Sequence, residues 1–433
     1  MARLIAATLT LGAGVAAAVA NPGHAATPTF APLHRLPALG SAHIWSIAVS
    51  PTTPSTILVG TDSGVYTSRD SGASFTLTAR GGRVWVVGFD ARTGAEAFAG
   101  TDGHGVIASA DAGSTWGPSS TGLNNLDVRS LAFGLDGIAA GTDSGVYESS
   151  DGHGWHDTGL DGDTVSTLAV AANSPQFTVV AGIDDGNLTP GFLYRSAGGG
   201  TWQPLQSGLP AGAVASALTS GPIDQAVPTR PLVLVTSKGV YRSGDSGTTW
   251  TPSNGVPATL VATTAAYDPL DPSVVYAGAD QGGSTGGDML RSTDSGMTFA
   301  IADTGLPSST KNVEAIGIGP TNPLTVVVAL DPPSGGASLY AMADSSLPAP
   351  PQLAPEAPGA PVTTVVSTPH ATPSPSRPPS RTSPTPQPAT GFAAFAQNAF
   401  HWPTPLVFEI ILVLLIIYLL VRWRQRYYVE GPP

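Results

Sequence analysis

Apolar and polar positions alternate in short bursts along most of this chain, and the bursts recur in register. One column reads HIWSIAVSP (43–51), RVWVVGFD (83–90), DVRSLAFG (127–134), TVSTLAVA (164–171), AVASALTS (213–220), LVATTAAYDP (260–269) and NVEAIGIGP (312–320). A second column follows each of these: ILVGTD, AFAGTD, IAAGTD, TVVAGID, LVLVTS, VVYAGAD and VVVALD. A third reads GVYTSRDSGASF (64–75), GVIASADAGSTW (105–116), GVYESSDGHGW (145–155), FLYRSAGGGTW (192–202), GVYRSGDSGTTW (239–250) and DMLRSTDSGMTF (288–299), then SLYAMADSS (338–346), which starts correctly and stops. Runs of this length, bounded by Gly, Pro, Ser and Asp, predict strands. A fourth short strand follows each aromatic. Four strands at a period of roughly 40–50 residues make a propeller blade, and seven copies of the first column predict seven blades over residues 28–346.

The tails after the turns are TWQPLQSGLP (201–210), TTWTPSNGVP (248–257) and TFAIADTGLP (298–307). A similar tail, TPTFAPLHRLP (27–37), stands near the start of the chain with no turn before it. The seventh unit lacks such a tail. Residues 29–33 are therefore expected to serve as its fourth strand, pairing with 338–342 and closing the ring. Closure matters because an open ring leaves a bare strand edge.

The flanks differ in kind. Arg3, an apolar stretch at 4–20 and Gly23-His24-Ala25 fit an export signal over residues 1–25, with cleavage expected after Ala25. Residues 347–400 are dense in Pro, Ser, Thr and Ala, the composition of an extended stalk. An apolar run at 406–421, flanked by Trp402 and Trp423, predicts one transmembrane helix over 402–423. Arg422, Arg424 and Arg426 mark the cytoplasmic side, so 424–433 is expected to be an inner tail. The expected topology is a single-pass type I protein of the cell membrane, its propeller outside the cytoplasm.

Composition narrows the partners. The net charge is −12 at pH 7, which argues against nucleic acid. With no cysteine there is neither a disulfide nor a thiol nucleophile, and no cofactor or metal-ligand spacing stands out. Each turn carries a single carboxylate, too few for calcium, which takes six to eight oxygens.

The turn S-x-D-x-G-x-[ST]-[WF] resembles the Asp-box, or BNR repeat. It stands here as SRDSGASF, SADAGSTW, SGDSGTTW and STDSGMTF, with shortened forms SSDGHGW and SAGGGTW. Its acids are Asp70, Asp111, Asp151, Asp245 and Asp294; in the fourth unit Ala197 or Gly198 stands instead. The resemblance implies an all-β propeller. It is shared by sialidases, xyloglucan-cleaving hydrolases and sortilin-type receptors, and the cadence is most similar to photosystem II assembly-factor-like propellers. A box Asp is expected to accept N–H bonds one to three residues on, and the aromatic to pack into its own sheet.

On the face shared by the strand-one starts and the strand two-to-three loops, the columns place Trp45, Trp85, Arg129, Ser166, Ala215, Ala262 and Glu314, with Arg83 beside them. Asp62, Asp102, His104 and Asp143 stand on the loops. Trp45, Trp85, Arg83, Arg129, Glu314, Asp102 and His104 are the candidate ligand-binding set; packing of the two tryptophans between blades is the structural alternative. The recurring Gly-Thr-Asp acids are expected to be turn formers. The arginine triad of sialidases has no counterpart, and no catalytic residue is assigned. The expected function is a tethered binding or assembly module for a protein or glycan ligand, with a monomeric head. The rival is a cell-surface glycoside hydrolase, in which two carboxylates some 6.5–9.5 Å apart would suffice.

Overall fold

The computed structural model describes residues 28–33, 43–90, 92–173, 176–184, 192–222, 229–280, 289–307, 312–331 and 338–344. The expected leader, stalk, transmembrane helix and tail lie outside these residues. Among the described residues no helix is long and apolar enough to cross a membrane.

The strands form seven antiparallel four-stranded sheets. Blade 1 runs Ile44–Val49, Ile57–Thr61, Gly64–Ser68 and Thr76–Arg80. The first strands of blades 2 to 7 are Val84–Phe89, Val128–Phe133, Val165–Ala172, Ala215–Ser220, Val261–Tyr267 and Asn312–Gly319. Each first strand packs against the next, and that of blade 7 returns to that of blade 1, so the ring closes. Second strands are buried on both faces, which is why they read as unbroken apolar runs.

Blade 7 is made from two distant pieces of chain. Its sheet is Asn312–Gly319, Leu324–Asp331, Ser338–Asp344 and then Ala31–Pro32. Ala31 faces Ala341 and Pro32 faces Tyr340, and the Leu33 N–H donates to Leu339 O at 2.9 Å. The closing strand is shorter than the expected 29–33 and has the same two-residue length as the fourth strands of blades 2, 5 and 6.

The box turns carry two successive residues in the left-handed region: Ser71-Gly72, Ala112-Gly113, Ser246-Gly247 and Ser295-Gly296. Glycine takes the second place without strain. The acid reaches further than expected. Asp70 Oδ1 accepts from Ser74 N at 2.8 Å and Asp70 Oδ2 from the Ser74 hydroxyl at 2.6 Å, four residues on. Asp111, Asp245 and Asp294 repeat this with Thr115, Thr249 and Thr298. In the shortened box Asp151 bonds the N–H groups of His153 and Gly154.

The box aromatic is also not confined to its own sheet. Trp155, Trp250 and Phe299 donate their backbone N–H to Thr121, Ser207 and Asn254 in the tail of the preceding blade. Phe30 does the same to Thr304 at 2.8 Å, and it is buried at 3% exposure. Phe30 thus fills the aromatic slot of a seventh box, and Asp344, at the end of the third strand, fills its acid slot. The two halves of that box come from opposite ends of the described chain.

Residues on the third strand join blades 1, 4, 5 and 6 to the next box. Thr67 donates to Gly113 O, Arg195 to Ser246 O, Arg242 to Ser295 O, and Arg291 to Asp344. Apolar side chains on the second strand fill the space under the box glycine: Leu58, Phe98, Val180 and Val233. Blade 3 breaks the pattern. Ala139 stands in the apolar slot with Glu148 paired beside it, and the next box has Gly198 in place of the acid. The Glu148 carboxyl faces Gly199 and is buried, its Oε1 without a hydrogen-bond partner among the described residues. Ser196 Oγ, which has no box acid beside it, is likewise unpartnered among the described residues.

Candidate functional site

Every first strand begins with a bulge. In blades 1, 2 and 3 the register skips Trp45, Trp85 and Arg129. In blades 4 to 7 it skips Ser166, Ser216, Thr263 and Glu314. A bulge re-aims one side chain out of the ladder, and seven bulges make one ring of such positions. Blades 5 and 6 present Ser216 and Thr263, one residue beyond the expected Ala215 and Ala262. Those two alanines are instead buried strand residues paired with Thr236 and Ala279.

Blades 1 to 3 turn this ring into a stacked array. Trp45 and Trp85 meet edge to face with ring centroids 4.7 Å apart. The Arg83 guanidinium sits 5.1 Å from the Trp45 ring and 4.6 Å from the Trp85 ring. Arg129 lies 4.6 Å from the Trp85 ring. Cation–π contacts of this kind contribute about 0.5–2 kcal/mol each. The two tryptophans are half-buried and pack on each other between blades 1 and 2. The Trp85 indole N–H has no hydrogen-bond partner among the described residues.

The loop acids hold the array. Asp62 accepts from Trp45 Nε1 at 2.8 Å, Arg83 Nε at 3.0 Å and His43 N at 3.0 Å. Burial opposes its ionisation, but these bonds outweigh burial and keep the carboxyl below its usual range. Asp143 grips Arg129 through both oxygens, a fork geometry that fixes the guanidinium plane. Asp102 lies 3.7 Å from Arg83 Nη1. Burial, with the neighbouring carboxyls of Asp102 and Asp143, pushes the Asp127 carboxyl up.

These acids are not the turn formers expected of the Gly-Thr-Asp motif. That work falls to the threonines: Thr61, Thr101 and Thr142 donate back to Gly64 O, Gly105 O and Gly145 O. The aspartate backbones fix the loops instead, Asp102 N to Arg83 O and Asp143 N to Asp127 O, both at 3.0 Å. The side chains are thereby released toward the arginines.

Of the other expected site residues, His104 turns its ring back to the Asp102 carbonyl at 3.1 Å. Glu314 occupies the bulge of blade 7, half-buried, next to blade 1 around the ring. Arg69, Arg195, Arg242 and Arg291 lie at the opposite end, engaged by box turns. Sequence reasoning passed over Asp62 as the organiser of the array. Its signal was the coincidence of an acid in one loop with a tryptophan and an arginine at neighbouring strand starts.

No family model matches the chain, and no curated protein matches it. Solved structures match its fold. YCF48 from Cyanidioschyzon merolae superposes with a TM-score of 0.52 at 18% identity, covering 73% of this chain and 99% of that one. YCF48 bound to D1 peptide gives 0.51 at 17% identity, covering 73% and 95%. The extracellular domain of BT4673 from B. thetaiotaomicron gives 0.51 at 14% identity, covering 72% of this chain and 40% of that one. The chain is a seven-bladed β-propeller similar in fold to YCF48, in line with the assembly-factor likeness read from its repeats.

Proposed function

We propose that the protein is a binding module whose Trp45–Arg83–Trp85–Arg129 array docks an extended peptide segment of a partner protein. The observation that carries this reading is the array itself. Two half-exposed indoles and two guanidiniums are locked in place by Asp62 and Asp143 with little further bonding to offer each other. Rigid aromatic and arginine anchors are what protein-binding surfaces concentrate, and pre-organisation lowers the entropy lost on binding. That a propeller of this fold, YCF48, is found bound to a peptide supports the same use. Carboxylates already committed to arginines are poorly disposed to proton transfer, which favours binding over glycoside hydrolysis.

The module is further proposed to be exported, monomeric and held outside the cell by the Pro-rich stalk and the apolar run at 402–423. The test is to probe the full-length chain against peptide and glycan arrays in parallel, with Trp85→Ala and Arg129→Ala beside the wild type. Peptide signals that fall at least about tenfold in both variants support the reading. Signals confined to glycans move the ligand class, and signals unchanged in the variants move the site.

A further inference from the structure

At the other end of the first strands, on the box side of the ring, lies a cavity of about 440 Å³. Its walls include Ile47, Val49, Phe89, Ile316 and Ile318 from blades 1, 2 and 7. Blade 5 adds one charged group. Arg230 lies just before the second strand of blade 5 and is only 8% exposed. Its Nε donates to Gly221 O at 2.8 Å and its Nη1 to Val170 O at 3.0 Å.

No carboxylate among the described residues pairs with Arg230, whereas Arg83, Arg92, Arg129 and Arg291 each have an aspartate. Burial alone draws its guanidinium down to about 10, so it remains a cation at neutral pH. A buried charge held only by neutral carbonyls is an uncompensated charge. The volume is within the range of small-molecule sites, roughly 300–1,000 Å³, and the lining joins these apolar walls to Arg230, Thr219, Ser220 and Tyr267.

We propose that this cavity binds a carboxylate joined to a compact apolar body, the carboxylate on Arg230 and the body against Phe89, Ile316 and Ile318. A singly charged carboxylate matches one guanidinium, and Thr219 and Ser220 belong to the same lining. A dianionic phosphate would be left half compensated. Two sources supply such chemistry, a free organic acid or the last residue of a peptide chain. The site is at the far end of the ring from the tryptophan array and does not depend on it.

The experiment titrates the full-length chain by calorimetry with 3-phenylpropionate, its neutral amide, and the tripeptide Ala-Ala-Phe with a free or an amidated C-terminus. The acid is expected to bind at least about tenfold more tightly than the amide. Arg230→Met is expected to bring the acid to the level of the amide, Arg230→Lys to retain part of the preference, and Ile318→Trp, which fills the cavity, to abolish both. Tight binding of the free-acid tripeptide identifies a chain terminus as the source; binding of phenylpropionate alone identifies a small acid. The acid–amide comparison on the wild type decides the matter even if Arg230→Met fails to fold. Equal binding of acid and amide, full binding by a folded Arg230→Met protein, or no binding of any acid by the wild type overturns the proposal.

Discussion

The carboxyl of Asp111 is exposed, yet it is held at about 2 by the Thr115 N–H, the Thr115 and Ser109 hydroxyls and the Ser114 N–H. Asp70 is likewise held at about 2, chiefly by the Ser74 hydroxyl and N–H. Acids with depressed folded-state values contribute stability above their unfolded value, near 3.9, and lose it as pH falls through the folded value. The denaturant midpoint is therefore expected to drop between about pH 4 and pH 2. Asp111→Asn should lower the midpoint at pH 7 and flatten that drop; an unchanged acid limb in the variant would count against the box bonds as its source. The box acids were legible in the sequence because each bonds within its own turn, four residues on at most. Arg230 was not. It sits in a Thr-Arg-Pro stretch with no local pattern, and its two carbonyl partners, 9 and 60 residues away, meet only once the ring exists. For the tryptophan array, Trp45→Ala with Trp85→Ala is expected to abolish ligand binding with little change in melting temperature, since both rings are only half-buried. A loss of the ~3–5 kcal/mol typical of core aromatics would place them in the core instead.

At the scale of the strand and its turns, the columns predicted each element but not the bonds between blades. The glycines of the tails show why. Gly122, Gly208, Gly255 and Gly305 all have positive φ, and a Cβ on Gly208 would stand 1.8 Å from the Trp250 carbonyl oxygen. In the sequence these glycines read as ordinary turn formers; their closest neighbours belong to another blade. Gly208→Ala is expected to destabilise by about 1–3 kcal/mol through backbone strain alone, with the steric clash added, and chemical denaturation measures it. The blade 3–4 junction gives the opposite expectation. Burial raises the Glu148 carboxyl. An acid raised in the folded state favours folding below its unfolded value, near 4.3, and that advantage is lost as pH rises through the folded value. Glu148→Gln should accordingly be more stable than the wild type at pH 7 and equal to it near pH 4. A midpoint that falls in the variant at pH 7 would show that the ionised carboxylate has a partner there.

For the molecule as a whole, the seven-fold count and the closing role of the N-terminal tail were both readable, because a missing tail and a surplus tail are complementary facts. What could not be read was that the same tail also completes a box. Removing residues 26–37 is expected to take away the buried Phe30, ~3–5 kcal/mol, out of the ~5–15 kcal/mol that stabilise a domain. It also bares the edge of Ser338–Asp344. The truncated chain should show a lower denaturant midpoint and poorer solubility than Phe30→Ala, which loses the contact and keeps the strand. Equal behaviour of truncated and parent chains would overturn the closure.

The divided box also sets an order of events during synthesis. A ribosome delivers Phe30 long before Asp344, so the first strand made must wait, unpaired, for the last third strand to emerge. Blades 1 to 6 draw all four of their strands from one contiguous stretch and can zip as they appear. The seam cannot. A chain cut short anywhere before Ser338–Asp344 has nothing to pair with Ala31–Pro32, so the last blade of the ring to be completed is also the one that needs both ends of the described chain.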